Sequence, residues 1–198
     1  MLKRKPRCGF LWLCRPAGLL ELLICLAWLA WPLAAGAQVT YPAKPIRFIT
    51  PFAPGGSTTA MARLIGQKMT ENWGHNVIVD NRHGGNTIIG TEALAKSTPD
   101  GYTILLTPNT HVIIPSLFPK LPYDPIRDFA PVGTPQPIIR KLSTEIVRIL
   151  ALPEVLDYLA KQGMAAFSST PEQLAVLMKT DLARWAKVIK AANIKLEN

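Results

Sequence analysis

The chain has 198 residues and a net charge of +9, of which the first 37 residues carry +4. The remaining excess, about +5, is scattered rather than clustered, which argues against a nucleic-acid-binding surface. All three cysteines, Cys8, Cys14 and Cys25, lie within those first 37 residues, so the rest of the chain has neither disulfide nor thiol chemistry and must be held together by its core.

At the N-terminus, Lys3, Arg4, Lys5, Arg7 and Arg15 precede an apolar run from Leu19 to Leu33 that only Glu21 interrupts. Ala35-Gly36-Ala37 follows, before Gln38. A basic head, a short apolar stretch and an A-x-A site make residues 1–37 a secretory signal peptide, cleaved after Ala37. The apolar run is shorter than the roughly 20 residues of a membrane span. Ile24 ahead of Cys25 is too bulky for lipoprotein processing, and no Arg-Arg pair supports a twin-arginine route. Residues 38–198 are enough for one domain with a real core, and too few for two lobes of ordinary size.

Ile46-Arg47-Phe48-Ile49-Thr50-Pro51-Phe52 is β-branched and aromatic and predicts a strand. Ala53-Pro54-Gly55-Gly56 is a turn, after which Ser57 or Thr58 can cap a helix carrying Met61, Leu64, Ile65, Met69 and Trp73 at helical spacing up to Gly74. Val77-Ile78-Val79 predicts a second strand, closed by Asp80-Asn81-Arg82, and a loop His83-Gly84-Gly85-Asn86 leads to a helix over 87–96. Residues 101–107 predict a third strand. Strands alternating with helices imply an α/β fold with a mainly parallel sheet and flanking helices. From Pro108 to Pro137 there are eight prolines, a density that leaves extended chain with one helical turn near Ile114 to Phe118.

Beyond Gly133, Thr134 is a candidate N-cap with Pro135 at the first helical position, and Ile138, Ile139, Leu142, Ile146 and Ile149 form one apolar stripe. A short helix runs from Pro153 to about Lys161 and ends at Gly163; Met164 to Phe167 suits a strand. Thr170-Pro171-Glu172-Gln173 opens the last helix, whose expected buried face is Leu174, Leu177, Met178, Leu182, Trp185 and Ile189.

Three loops at strand ends could carry chemistry. At Pro54-Gly55-Gly56-Ser57-Thr58, glycines admit a ligand to the backbone and a helix N-terminus offers free N–H groups to a carboxylate or phosphate. The same residues would equally make a tight turn with an ordinary serine cap. Arg82, in the second loop, could meet an anion or be paired internally. Thr107-Pro108-Asn109-Thr110-His111 adds polar donors at the third strand end. His75, His83 and His111 have no metal-ligand spacing and suit surface or loop positions, and Ser57 is not in a nucleophile elbow, so neither a metal, a cofactor nor an enzyme is expected.

Taken in order, Tyr41-Pro42-x-Lys44-Pro45-Ile46-Arg47, Pro51-Phe52-x-Pro54-Gly55-Gly56-Ser57-Thr58, Val79-x-Asn81-Arg82, Pro99-Asp100-Gly101-Tyr102-Thr103, Leu121-Pro122-Tyr123-Asp124-Pro125 and Asp128-Phe129-Ala130-Pro131-Val132 resemble the Bug (TctC-like) family. These are periplasmic solute-binding receptors of tripartite tricarboxylate transporters. Gly133-Thr134-Pro135-x-Pro137-Ile138, Leu152-Pro153-Glu154-Val155 and Ser169-Thr170-Pro171-Glu172-Gln173 continue the resemblance almost to the C-terminus. It implies a type II periplasmic-binding-protein-like fold, a small carboxylated solute as ligand, membrane transporter subunits as partners and no catalysis. By motif, Phe52, Gly55, Gly56, Ser57 and Thr58 would hold the carboxylate, with Thr107 and Thr110 nearby.

The chain departs from the family pattern at Thr59, where Asp is usual, at His83, where Pro is usual, and above all between Val132 and Gly133, where a long block is missing. The resemblance therefore implies an internal deletion that removes the second lobe. It leaves a single α/β lobe of residues 38–132 joined directly to a helical return segment, 133–198. A receptor impaired in binding is then expected; the alternative is a non-binding remnant, or a single-lobe interaction protein docking on a membrane partner or paralogue. N-terminal sequencing of the exported protein should begin at Gln38; a chain that retains Met1 after export would contradict the leader assignment.

Overall fold

The computed structural model describes residues 40–129 and 134–194; the leader and the junction Val132–Gly133 lie outside the described residues. Three parallel strands form the sheet: β1 (Ile46–Thr50), β2 (Val77–Asn81) and β3 (Thr103–Leu105), in the order β2-β1-β3. β1 pairs on both sides, Ile46 with Val77 through Thr50 with Asn81 on one edge, and Arg47 with Thr103 through Ile49 with Leu105 on the other. The parallel α/β class expected from the alternation is the observed one. Two strands are shorter than expected: β1 stops before Pro51, and β3 keeps three residues of the 101–107 stretch. Gly101 takes φ +79, and Pro108 lacks an amide for a ladder.

The crossovers set the layers. Helix α1 (Ser57–Trp73) joins β1 to β2, and α2 (Ile88–Ala95), entered through a 3-10 turn at Gly85–Thr87, joins β2 to β3. The chain moves one way across the sheet and then the other, so right-handed crossovers put α1 and α2 on opposite faces. On the α1 face, Ile46 and Phe48 of β1 pack with Ala62, Ile65 and Met69. Helices α4 (Gln136–Leu150) and α5 (Pro153–Lys161) complete this core with Ile149, Val155 and Leu159. On the other face, α2 approaches so closely that a Cβ at Gly90 would lie 2.6 Å from the Arg82 carbonyl and 2.8 Å from Pro51 Cα. Helix α3 (Thr110–Leu117) sits beside the 3-10 turn, and the last helix, α6 (Pro171–Ala191), lies against α3.

The two stretches on either side of the junction share one core. Tyr41 donates its hydroxyl to the Gly101 carbonyl at 2.7 Å, and Lys141 of α4 donates to the Tyr41 carbonyl. Asn72 of α1 donates to the buried Glu145 carboxylate of α4 at 2.8 Å, and Arg148 donates to the same carboxylate.

Several elements differ from expectation. Helix α1 is N-capped by Gly56, with no side-chain cap from Ser57 or Thr58, and α4 starts after Pro135 with no cap from Thr134. Helix α3 has eight residues rather than one turn, because Pro115 interrupts a single amide bond without breaking the helix. Met164–Phe167 forms no strand, and Phe167 is 81% exposed. The last helix does open on Thr170, whose hydroxyl accepts from the Gln173 amide while the Gln173 side chain takes the Thr170 amide, a full capping box. Its expected buried face is largely open: Ile189 is buried, but Leu174 and Leu177 are 48% and 46% exposed.

His111, expected at a surface or loop position, is buried in α3. Its Nε2 donates to the Pro125 carbonyl at 2.8 Å, Phe129 packs edge-on at 4.5 Å, and Nδ1 is buried without a partner. This ties residues 123–129 to the lobe. Burial lowers the His111 pKa, only partly opposed by the Pro125 carbonyl. The folded protein therefore binds this proton more weakly than the unfolded chain, so stability is full above the ordinary histidine range and falls as pH drops through it. The urea midpoint should decline between about pH 7 and pH 5, where carboxylates still have little effect. This decline should shrink in His111→Gln; an unchanged decline in that variant would place the proton elsewhere.

Candidate functional site

In an open parallel sheet the crevice lies at the carboxyl ends of the strands, where the chain order reverses. Here the reversal falls at β1, flanked by β2 and β3, so the site is built by the loops that leave the sheet after Thr50, Asn81 and Leu105. After β1 the chain turns through Gly55, at φ +99, and enters α1 at Ser57. Residues 53–57 are exposed, and a Cβ at Gly55 or Gly56 would meet nothing within 4 Å, so the backbone is open to a ligand.

The helix entrance is unneutralised. The first intrahelical bond runs from the Ala60 amide to the Gly56 carbonyl at 3.0 Å, leaving the amides of Ser57, Thr58 and Thr59 without an acceptor. No acidic residue sits in the first turn. An uncapped N-terminus with free amides and a partial positive charge can receive an anion.

Asn81 holds this loop in place. Because β1 and β2 pair in register, Asn81 lands opposite Thr50. Its Nδ2 lies 2.6 Å from Thr50 Oγ1, 2.7 Å from Thr59 Oγ1 and 3.0 Å from the Phe52 carbonyl, so its two N–H groups are shared among three acceptors. Thr59 is buried and its hydroxyl reaches the Ala53 carbonyl at 3.4 Å. The residue that departs from the family's Asp thus stitches the turn from inside. Neither role was apparent from the motif alone; the parallel register is the signal that finds them.

A cavity of about 420 Å³ opens beside the loop, lined by Phe52, Ala53, His83, Asn86, Thr110 and Phe118 among others. It brings Phe52 and Thr110 together, and the Thr110 hydroxyl is buried without a hydrogen-bond partner. Thr107 lines a neighbouring groove with Pro108 and Asn109 instead. Gly55, Gly56, Ser57 and Thr58 form the open turn that continues from Ala53. Arg82 is paired internally: its Nε lies 3.0 Å from Asp80 Oδ2, which Arg47 also binds. Burial alone would raise the Asp80 pKa, but the hydrogen bonds from the two guanidinium groups outweigh it and hold the carboxyl below its usual range. Among the described residues no cluster of His, Cys, Asp and Glu could hold a metal ion, and no helix is long and apolar enough to cross a membrane.

Comparison with known proteins bears on the family and the fold. The BugT protein of Bordetella pertussis is 41% identical over 121 residues, which cover 60% of this chain and 36% of BugT. The chain spans about a third of the length of the curated relatives it matches. Among solved structures, the periplasmic binding protein BugD superposes with a TM-score of 0.73 at 17% identity, covering 79% of this chain and 100% of that one. MatC from Rhodopseudomonas palustris, solved with bound malate, superposes with a TM-score of 0.69 at 17% identity, covering 75% and 100%. At such identities the superpositions establish the periplasmic-binding-protein fold alone. The model of the tripartite tricarboxylate transporter family receptors (TctC) matches residues 61–132 and 129–194, and the chain therefore belongs to that family.

Proposed function

We propose that this chain is an extracytoplasmic solute receptor of a tripartite tricarboxylate-type uptake system, reduced to one lobe. Its leader directs it to the periplasm and is removed after Ala37. Its ligand is a small carboxylated solute, held at the entrance of α1 by the amides of Ser57, Thr58 and Thr59. Gly55 and Gly56 allow close approach, and Phe52, Thr107 and Thr110 flank the ligand. It catalyses nothing, and its productive partners are the membrane subunits of the transporter.

The uncapped N-terminus of α1 at the switch point carries this reading. The malate found in MatC supports the ligand class. The missing lobe is supported by the family match, whose two parts meet and overlap at residues 129–132. The two kinds of comparison also differ in reach. The sequence spans about a third of BugT, yet the superpositions extend over the whole of the solved chains, as expected when a middle block is absent.

One lobe leaves most of a small ligand in water, whereas small-molecule sites normally bury most of it. Binding is therefore weak. A ligand at a hundred times its dissociation constant stabilises a fold by about 2.7 kcal/mol. Thermal unfolding should then shift with millimolar malate, succinate or citrate and stay unmoved at micromolar concentrations. Thr58→Glu places a carboxylate in the first turn of α1, so it should raise the melting temperature and abolish the ligand response together. A clear shift at micromolar ligand would overturn the half-site, and no response at millimolar ligand would overturn the receptor reading.

Asn81 is a positioning residue. Asn81→Ala leaves the buried Thr50 hydroxyl and the Phe52 carbonyl short of a donor and should cost about 1–3 kcal/mol in urea unfolding. A cost below about 0.5 kcal/mol, the level of an ordinary surface change, would remove it from that role.

A further inference from the structure

The cavity of about 420 Å³ beside the first loop has a largely apolar wall. Pro51 and Phe52 contribute from the end of β1, Ile114 and Leu117 from α3, and Phe118 from just beyond it. Pro51 and Ile114 are buried, so this wall belongs to the packed part of the lobe. Among the described residues that line the cavity there is no lysine, arginine or carboxylate. Arg82, next in the chain to the lining residue His83, is committed elsewhere, with its Nε 3.0 Å from Asp80 Oδ2. The Thr110 hydroxyl, buried without a partner, is neutral: it can serve a ligand oxygen but cannot offset a charge.

The cavity adjoins the entrance of α1. Asn81 Nδ2 lies 3.0 Å from the Phe52 carbonyl and 2.7 Å from Thr59 Oγ1, and Thr59 Oγ1 lies 3.4 Å from the Ala53 carbonyl. Phe52 and Ala53, which line the cavity, are thereby held against the first turn of α1, where the amides lack acceptors. One small molecule can meet both features, with a charged head at the amides and its body along the wall. Sites for small molecules combine an apolar lining with a few placed polar groups in this way.

We propose that the solute is a monocarboxylate with an apolar body, its carboxylate at the entrance of α1 and its hydrocarbon along Phe52, Ile114, Leu117 and Phe118. This specificity presupposes that the α1 entrance receives the carboxylate. A second carboxylate at the far end would leave water for a wall without a cation, and an unpaired charge is costly to bury. An apolar end gains instead, by about fourfold in affinity for each methylene taken out of water.

Amide-resolved NMR titrations of the purified chain with acetate, hexanoate, adipate and 1-hexanol test this. Hexanoate should move the amides of Ser57 and Thr58 together with those of Leu117 and Phe118. It should do so at a concentration about tenfold below that needed for acetate or adipate, the gain of roughly two buried methylenes. 1-Hexanol, which has the body without the head, should bind more weakly than hexanoate. Adipate binding as tightly as hexanoate, with the α1 amides moved by both, overturns the apolar subsite and leaves the carboxylate site standing. If no acid moves those amides, both fall. 1-Hexanol as tight as hexanoate overturns the proposal too. Leu117→Lys puts a cation on the wall and should reverse the order, with adipate above hexanoate; a folded Leu117→Lys chain that keeps the original order contradicts the role of the wall. If that variant does not fold, the four titrations of the unchanged chain decide alone.

Discussion

The parallel pairing of β1 with a neighbour on each side is the constraint on which the other features depend. It makes β1 the point where the chain order reverses, which sends α1 and α2 to opposite faces and leaves the crevice at the end of β1 uncovered. The same register sets Asn81 against Thr50, so that one side-chain amide bridges Thr50, Phe52 and Thr59. The loop that enters α1 is thus held from below while its upper surface stays bare. Local backbone geometry and long-range pairing meet in one place, and free amides remain there for want of any capping side chain.

The second consequence is less favourable. A parallel α/β sheet is normally covered on both faces and extends far enough to support its helices. Here the helical layers continue past β3, while among the described residues the sheet does not. The open groove, the exposed Phe167 and the half-exposed Leu174 and Leu177 all reflect that mismatch. The lobe nevertheless holds its two sequence stretches together, because Ile149, Val155 and Leu159 complete the core on the α1 face and Asn72 and Arg148 satisfy the buried Glu145. The face that contains β1 is well supported, and among the described residues the β3 edge is the less covered one.

Much of this was legible in the residues. β1 and β2 showed as β-branched runs, α1 as an apolar period closed by Gly74, and the Thr170 capping box as its sequence signature. The features that escaped depend on contacts across the chain. The apolar stripe of α6 is real, but a stripe says only what a helix could bury and not whether a strand is present to cover it. The proline density after Pro108 argued against helix, yet only Pro115 falls inside α3, where it costs one bond. His111 is buried because Tyr123, Pro125 and Phe129 fold back over it, a closure no local pattern announces. In the site, the glycine turn was visible, whereas the roles of Asn81 and Thr59 needed the strand register.

The central claim is that the unpaired amides opening α1 receive a carboxylate. An amide-resolved NMR titration with malate observes those groups directly. The account predicts that the Ser57, Thr58 and Thr59 resonances move first and furthest, with smaller changes at Phe52 and Thr110. Shifts confined to surface lysines and arginines, with the first turn of α1 unmoved, would contradict it.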